Sequence, residues 1–426
     1  MGLSIEPGTT DHKQINAVVE HLFRHEYGKL VSTLVRAVGI SKLDDVEDIV
    51  QESLLAAMTG WSFRGVPENP TGWLVQVAKN KMVDLMRRRS FTSKLFVPLV
   101  DGLHDAAYAF EIDKLVMPWE IGDSQLRMMF VCCHPGIPIE SQIALTLKTL
   151  CGFSVREIAN AFLTQDATIE KRLGRARKYF RDHNVELEAP AGRALKKRSG
   201  AVLSSLYLLF NEGYKQTESE GLFDRDLCLE AIRLARIMAE HAEVQSPDAL
   251  ALLALMTLVA ARFEARTNDR GDIVLLSEQD RALWNRELID QGMDLFARSE
   301  PDVHTSTYHL EAAIQSLHVM VPSFDRTDWP AILGLYKRLY KLKPSPIVAM
   351  HMSVSIGQVH GPDAAIQLLT SMPLPNYYLY HALLGDAYLK AHRPAEAAAS
   401  FRRAIKLTTN AREKALLEAR LAAISV

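Results

Sequence analysis

The chain has 426 residues and a formal net charge of −2, with 49 Lys and Arg against 51 Asp and Glu. Hydrophobic residues make up 48% and charged residues 23%, which excludes a disordered chain and predicts a packed core. The length indicates about three domains. Because the net charge is close to zero, any surface that binds nucleic acid must be a local basic patch.

The N-terminus and the cysteines indicate a cytoplasmic protein. The opening residues MGLSIEPGTTDHKQ lack a basic start followed by an apolar run, so no secretion signal is expected. The most apolar stretch, residues 249–263, is too short to span a membrane. The four cysteines form no CxxC pair, and the adjacent Cys132, Cys133 and His134 cannot all reach one metal ion from a regular helix. We therefore expect no membrane contact, no metal and no cofactor.

Hydrophobic residues recur at helical spacing along almost the whole chain, which predicts an all-α fold. One short stretch, residues 272–276, has the alternation of a possible strand. Breaks in the pattern fall at residues 64–70, 91–122 and 188–200. They separate two small helical units from a long helical C-terminal half.

The first motif is an acidic helix that opens at Asp44 and Asp45. Its apolar positions, Val46, Ile49, Val50 and Leu54, have helical spacing. The pattern places four polar residues on the outside of the helix: Glu47, Asp48, Gln51 and Glu52. By itself, such a face is an ordinary solvated surface in most proteins.

The next helix, TGWLVQVAKNKMVDLMRRRS, ends in a strongly basic run and is predicted to be capped by Thr71. Trp73 fits either a core position or a wedge beside an unstacked base. Aromatic side chains and cations together can hold a single nucleic-acid strand. The residues available for this are Gln76, Asn80, Asp84, Arg87 and Arg88 on the helix, with Trp61, Phe63 and Arg64 in a predicted loop of residues 61–68.

The stretch GFSVREIANAFLTQDATIEKRLGRARKYF reads as a helix-turn-helix. Ser154 and Glu157 have the spacing of a capping box that starts the first helix. The second helix faces the core with Ile169 and Leu173, and Thr168 and Glu170 lie near its start, where they could reach base edges. Its outer side is basic, through Lys171, Arg172, Arg175, Arg177, Lys178 and Arg181. The alternative is an ordinary helical hairpin with a solvated basic face.

These three motifs, in this order, resemble regions 2 and 4 of extracytoplasmic-function (ECF) sigma factors, the promoter-reading subunits of bacterial RNA polymerase. The resemblance covers roughly residues 15–185. The segments FNEGY and EQDRALWNRELIDQG, followed by a helical tail, are similar to the subgroup that carries a long C-terminal extension. The turn FLTQDAT departs from the commoner LGISVGTV, which leaves the base-contacting residues open.

The resemblance implies a domain order of region 2 at residues 15–91, a linker at 92–120 and region 4 at 121–185. A second linker at 186–200, a helical domain at 201–320 and a repeat-containing tail at 321–426 would follow. Asp48, Gln51 and Glu52 would dock on the β′ clamp helices of core polymerase, and region 4 would meet the β flap. The residues of the loop and second helix would melt the −10 element, and Thr168 to Lys178 would read the −35 element. No catalytic activity is implied, because polymerisation belongs to the core enzyme.

The tail fits degenerate tetratricopeptide repeats, which indicates a protein-interaction or regulatory domain. Family resemblance implies that this extension replaces a separate anti-sigma protein, with a small DGPF-type protein as one candidate partner. Six residues fit either one shared polar site or separate caps and buried hydrogen bonds: Asn211, Glu212, Tyr214, Arg262, Asp280 and Trp284. The packing residues of the best repeat are Leu384, Gly385, Tyr388, Ala397, Phe401 and Ala404.

Two other classes of function fit parts of the sequence. A one-component transcriptional regulator would use the basic helix, but it would have no need of an acidic docking helix. A tetratricopeptide-type scaffold would use the tail and leave the basic surfaces incidental. Binding to core polymerase separates the sigma-factor interpretation from both.

Overall fold

A computed structural model describes residues 19, 26–36, 38–89, 123–183, 185, 192–215, 224–300 and 304–424. The described part is helical, and its one β contact is an isolated bridge between Thr267 and Ile273. The all-α prediction is confirmed, whereas the strand expected at residues 272–276 does not form. The linker predicted at residues 92–120 lies outside the described residues.

The chain divides into two compact units. The first unit comprises the described residues up to Leu209 together with His241–Val244, and the second comprises Phe210–Glu240 and Gln245–Val426. Both predicted DNA-binding modules therefore belong to the same unit. One helix begins at Arg193, inside the stretch predicted as a second linker.

The first unit consists of helices around an apolar core. Helix α1 covers residues 26–36 and is followed by a 3-10 turn at Ile40–Lys42. The remaining helices are α2 (Leu43–Arg64), α3 (Pro70–Arg89), α4 (Ser124–Cys132), α5 (Ile139–Leu150), α6 (Val155–Ala161) and α7 (Asp166–Asp182). Helix α8 (Arg193–Lys215) begins in the first unit, and its residues from Phe210 onward belong to the second.

Helices α2 and α3 pack as a hairpin. Asp44 and Asp45 lie in the first turn of α2, where acidic groups complement the helix dipole. Gly65, at φ 78°, ends this helix in the left-handed region that favours glycine. The amide of Gly72 donates to Asn69 Oδ1 at 2.8 Å, so Asn69 caps α3, and the prediction that Thr71 does so is wrong.

The second unit is built around a helix that is buried on nearly every side. This helix, α10, is capped by Ser246 and has Pro247 in its first turn. The helices of this unit are α9 (Arg225–Glu240), α10 (Pro247–Ala260), α11 (Arg286–Arg298), α12 (Thr307–Val319), α13 (Trp329–Leu342), α14 (Pro346–His360), α15 (Pro362–Ser371), α16 (Tyr378–Lys390), α17 (Pro394–Leu407) and α18 (Ala411–Ile424).

The C-terminal part of this unit consists of packed helical hairpins. Gly361, at φ 87°, separates α14 from α15, and these two helices pack against each other as a hairpin. In the next hairpin, Phe401 is fully buried and lies against Gly385. A Cβ at residue 385 would stand 2.7 Å from the Phe401 ring, so this position requires glycine for close helix packing.

Two glycines in this unit provide a matched test of that packing. We expect Gly385→Ala to lower the free energy of unfolding by roughly 1–3 kcal/mol, because the buried Phe401 ring cannot move away without strain. Gly334 is an exposed helical glycine with open space around it, so Gly334→Ala should raise the free energy of unfolding by up to about 1 kcal/mol. Urea unfolding of both variants measures the difference, and equal effects would contradict a requirement for close packing at residue 385.

Candidate nucleic-acid interface

The acidic face of α2 is open to solvent along one stripe. Asp48, Gln51 and Glu52 are exposed, as the sequence predicts for a docking surface. The Gln51 side chain shares a hydrogen bond with the buried Tyr27, and Glu52 accepts from Lys81 Nζ at 2.8 Å. Such an exposed ion pair is worth at most about 1 kcal/mol, so it would not hinder a partner.

Glu47 does not share that exposure, which corrects the prediction that it lies on the outside of the helix. It is 5% exposed and accepts a hydrogen bond from Thr149 Oγ1 at 2.8 Å. Burial raises the pKa of Glu47, and the neighbouring Arg177, Thr149 and Lys148 oppose that rise. The helical pattern misplaced this residue because its partners lie about a hundred residues further along the chain.

Trp61 also departs from its predicted place. Helix α2 continues to Arg64, so Trp61 belongs to a helix rather than to a loop, and it is 3% exposed. Its ring meets the half-buried Trp73 edge to face, with centroids 5.3 Å apart. In this arrangement Trp61 supports the hairpin core and offers no face to a base.

The surface beside this pair is exposed and mixed in character. Phe63 is 86% exposed, which is unusual for so large an apolar side chain, and Arg64 beside it is exposed as well. Asn80 and Asp84 are exposed on α3, and Asn80 accepts from Gln76 Nε2 at 3.0 Å. Arg87 and Arg88 belong to the last turn of α3, where the side chains lie outside the described residues.

Helices α5, α6 and α7 form the helix-turn-helix region. The amide of Glu157 donates to Ser154 Oγ at 3.0 Å, and the amide of Ser154 donates to Glu157 Oε2 at 2.7 Å, which confirms the predicted capping box. The turn that follows places Leu163 at φ 52°, a left-handed conformation that is uncommon for a residue with a Cβ. Helix α7 then begins at Asp166 and buries Ile169, as predicted.

Some of the cations predicted on the outward side of α7 are exposed to solvent, and others are paired with carboxylates. Lys171, Arg175 and Lys178 are exposed, as is Glu170, while Thr168 is half-buried. The Arg172 guanidinium lies 5.2 Å from the centre of the Phe162 ring. The exposed cations form a stripe that suits a phosphate backbone.

Arg177, unlike the exposed cations, is paired with carboxylates. Its Nη2 lies 2.5 Å from Glu47 Oε2, and its Nε lies 3.1 Å from Asp44 Oδ1. Arg181, one turn further along α7, places Nη1 2.5 Å from Asp44 Oδ2. The prediction that Arg177 faces DNA does not hold in this arrangement, because its guanidinium is already paired with carboxylates of α2.

Two of the six polar residues singled out in the extension, Arg262 and Trp284, lie beside each other. The Arg262 guanidinium lies 5.8 Å from the centre of the Trp284 ring and donates to Gln315 at 3.0 Å. Arg281, which the sequence pattern missed, lies 4.4 Å from the same ring and donates to the carbonyl oxygen of His318. Burial, followed by these two cations, lowers the pKa of His318 to about 4.

Two other members of that set, Tyr214 and Asp280, have partners outside it. Tyr214 lies under the Arg266 guanidinium at 3.7 Å, and Arg266 Nη1 donates to the carbonyl oxygen of Tyr214 at 2.8 Å. Asp280 is exposed and accepts from the amide of Ala282, so it caps a 3-10 turn. Asn211 is half-buried and Glu212 is buried. Asp280 therefore has the role of a cap, and the carbonyl oxygen of Tyr214 accepts a part-buried hydrogen bond.

The described part of the chain contains no group of three His, Cys, Asp or Glu side chains that could hold a metal ion. Cys132, Cys133, Cys151 and Cys228 are buried thiols. Among the residues that the structure describes, no helix is both long and apolar enough to cross a membrane.

Two family models match separate parts of the chain. Residues 22–92 match sigma-70 region 2, and residues 198–300 match a family of unknown function, DUF6596. The chain is also similar to the solved structure of a thermophilic tetratricopeptide-repeat protein from Thermus thermophilus. The match includes 52% of this chain and 98% of that protein, at 18% sequence identity. Its TM-score of 0.33 is too low to support a statement about the fold.

Two curated relatives extend the comparison. The ECF RNA polymerase sigma-E factor of Salmonella typhimurium LT2 is 28% identical over 183 residues, which are 41% of this chain and 88% of the relative. The uncharacterized protein R00370 of Rhizobium meliloti 1021 is 34% identical over 400 residues, which are 92% of this chain and 94% of the relative. The chain therefore belongs to the same family as R00370, and its region 2 domain makes it a sigma factor.

Proposed function

We propose that this sigma factor is of the ECF type and directs promoter-specific initiation by bacterial RNA polymerase in the cytoplasm. The observation that carries the proposal is the combination, within one compact unit, of an exposed acidic stripe and a basic helix-turn-helix. The weak similarity to the Salmonella sigma-E factor supports the ECF assignment. A one-component regulator would need only the second of these features.

The acidic stripe is proposed to dock on core polymerase. Asp48, Gln51 and Glu52 would contact the β′ clamp helices, and the helix-turn-helix would contact the β flap. Exposed charges of this kind steer association and set the orientation of a partner.

The surface around Phe63 is proposed to open the −10 element. Phe63 and Trp73 would stack on unpaired bases, while Arg64, Asn80, Asp84, Arg87 and Arg88 would contact the displaced strand. Extruding a base costs a few kcal/mol, and capture on an aromatic face returns about 1–3 kcal/mol per base. Opening therefore needs no ATP.

Helix α7 is proposed to read the −35 element in the major groove. Thr168 and Glu170, at its start, would approach base edges, and the exposed Lys171, Arg175 and Lys178 would hold the phosphates. We assign no catalytic residue, since polymerisation belongs to the core enzyme.

The extension is proposed to regulate this activity through a protein partner. Its helical hairpins offer stacked surfaces of the kind that bind other proteins. A DGPF-type protein is one candidate, by family resemblance.

Docking is tested by charge reversal. We expect the wild-type chain to co-migrate with core polymerase and to give a promoter-specific run-off transcript. The double variant Asp48→Lys, Glu52→Lys should lose both the co-migration and the transcript. The matched control is Asp290→Lys with Asp294→Lys, an exposed pair at the same spacing in the second unit, which should behave as wild type. A wild-type chain that binds promoter DNA but never core polymerase would support the one-component regulator instead.

Promoter opening is tested by comparing two aromatic residues. Phe63→Ala should leave the free energy of unfolding within about 0.5 kcal/mol of wild type, because the ring is exposed. It should slow open-complex formation on duplex promoter, and a template already mismatched at the −10 element should restore the rate. Trp61→Ala should instead lower the free energy of unfolding by roughly 3–5 kcal/mol, because it leaves a cavity. A Phe63→Ala defect that the mismatched template does not correct would count against base capture.

The −35 contact is tested by the salt dependence of promoter binding. Arg175→Ala in the holoenzyme should weaken binding and reduce the slope of log affinity against log salt by about 1, because one phosphate contact is lost. Arg402→Ala removes an exposed cation from the second unit and should leave the slope unchanged. Equal slopes for Arg175→Ala and wild type would rule out the proposed phosphate contact.

A further inference from the structure

Two buried arginines in the second unit have neutral partners only among the described residues. Arg262, just after the end of α10, is 7% exposed, and Arg281, in a 3-10 turn, is 8% exposed. Arg262 donates to the Gln315 side chain at 3.0 Å. Arg281 donates to the carbonyl oxygens of His318 and Val321. A buried cation is costly unless an anion compensates it, so these two charges require a further explanation.

The two guanidinium groups lie close to each other, around one indole ring. The Arg262 guanidinium is 5.8 Å and the Arg281 guanidinium 4.4 Å from the centre of the buried Trp284 ring. Burial, followed by the repulsion from both cations, lowers the pKa of His318, so its ring is neutral at pH 7. Burial, followed by the repulsion from Arg262, also lowers the pKa of Arg281. The four side chains therefore form one cluster.

Each of these four side chains has a buried nitrogen that makes no hydrogen bond in the described part of the chain. The four atoms are Arg262 Nε, Arg281 Nη2, Trp284 Nε1 and His318 Nδ1. The first three carry a hydrogen and can only donate. Native proteins pair almost all of their buried polar groups, so four unpaired nitrogens in one cluster are unusual. Positive charge and unpaired donors together are the chemistry of an anion-binding site.

The negative charge around the cluster does not pair these nitrogens. The C-terminal ends of α10 and α12 contribute partial negative charge, which favours a cation beside them. Burial and then Glu311 raise the pKa of Tyr336, and Arg262 opposes that rise, so one carboxylate lies in the neighbourhood. Among the described residues, however, neither arginine donates to Glu311. The unpaired donors therefore carry the argument more than the charge does.

We propose that this cluster, the Trp284 site (Arg262, Arg281, Trp284 and His318), binds a small oxyanion that carries a carboxylate or phosphate group. Nitrogens that donate and cannot accept suit oxygens that bear a negative charge. Neutral acceptors already hold both guanidinium groups in place, so little ordering cost remains when the anion binds. All four side chains are buried, so the ligand is a small molecule rather than a segment of DNA or the surface of another protein.

A bound anion would join three parts of the second unit. Arg262 follows α10, Arg281 and Trp284 belong to the 3-10 turn and the residue that ends it, and His318 lies in the last turn of α12. An anion that accepts from all three parts stabilises the folded unit by mass action. The inference goes beyond promoter recognition, because every residue of the site belongs to the second unit.

Calorimetric titration of the full chain tests the site with two probes, inorganic phosphate and succinate, at an ionic strength held constant with sodium chloride. We expect saturable binding of at least one probe, and the probe that binds more tightly identifies the class of anion. Arg262→Gln removes one charge and one donor, so it should weaken that binding by about tenfold or more. Arg402→Gln removes an exposed cation from the same unit and should bind as wild type does.

Trp284→Phe provides a second variant, which keeps an aromatic ring at the site and removes the unpaired indole N–H. It should weaken binding by roughly twofold to tenfold, because one neutral donor is lost. Circular dichroism checks that each variant is folded, and should Arg262→Gln unfold, Trp284→Phe decides the outcome. A wild-type chain that shows no saturable binding of either probe would overturn the site, as would equal affinities for wild type and the folded site variants.

Discussion

The first unit depends on one buried carboxylate, Glu47, and on the guanidinium that compensates it. A carboxylate removed from water is costly unless a cation and hydrogen-bond donors surround it, and here Arg177 and Thr149 provide both. These residues lie 130 and 102 positions away in the chain. The interaction therefore fixes α2, α5 and α7 together, and it ties the helix-turn-helix to the acidic helix.

This constraint divides the basic face of α7 into two parts. Lys171, Arg175 and Lys178 form one exposed stripe along the helix, whereas Arg177 and Arg181 lie on the side that α2 engages. In a chain of net charge −2, DNA affinity must come from such local cations, so engaging two of them changes it substantially. The proposed docking stripe remains exposed in the same arrangement.

Local features could be predicted from the sequence, and contacts between distant segments could not. The capping box of Ser154 and Glu157 was predictable because both partners lie within one turn. The prediction for Glu47 was wrong because helical periodicity does not identify a partner 130 residues away. The prediction for Trp61 was wrong because a tryptophan suits a buried core as well as a base-binding surface. Asn69 and Thr71 both lie near the start of α3, and only the backbone geometry shows which of them is the cap.

The distance between α2 and α7 in the intact chain tests the junction at Glu47 most directly. Donor and acceptor dyes at Thr59→Cys and Ala167→Cys, two exposed positions, report that distance by energy transfer, while the four native thiols are buried. We expect high transfer in the folded free chain and a clear loss of transfer once urea unfolds it. Transfer as low in the folded chain as in urea would show that α7 does not lie against α2, and would contradict the junction at Glu47.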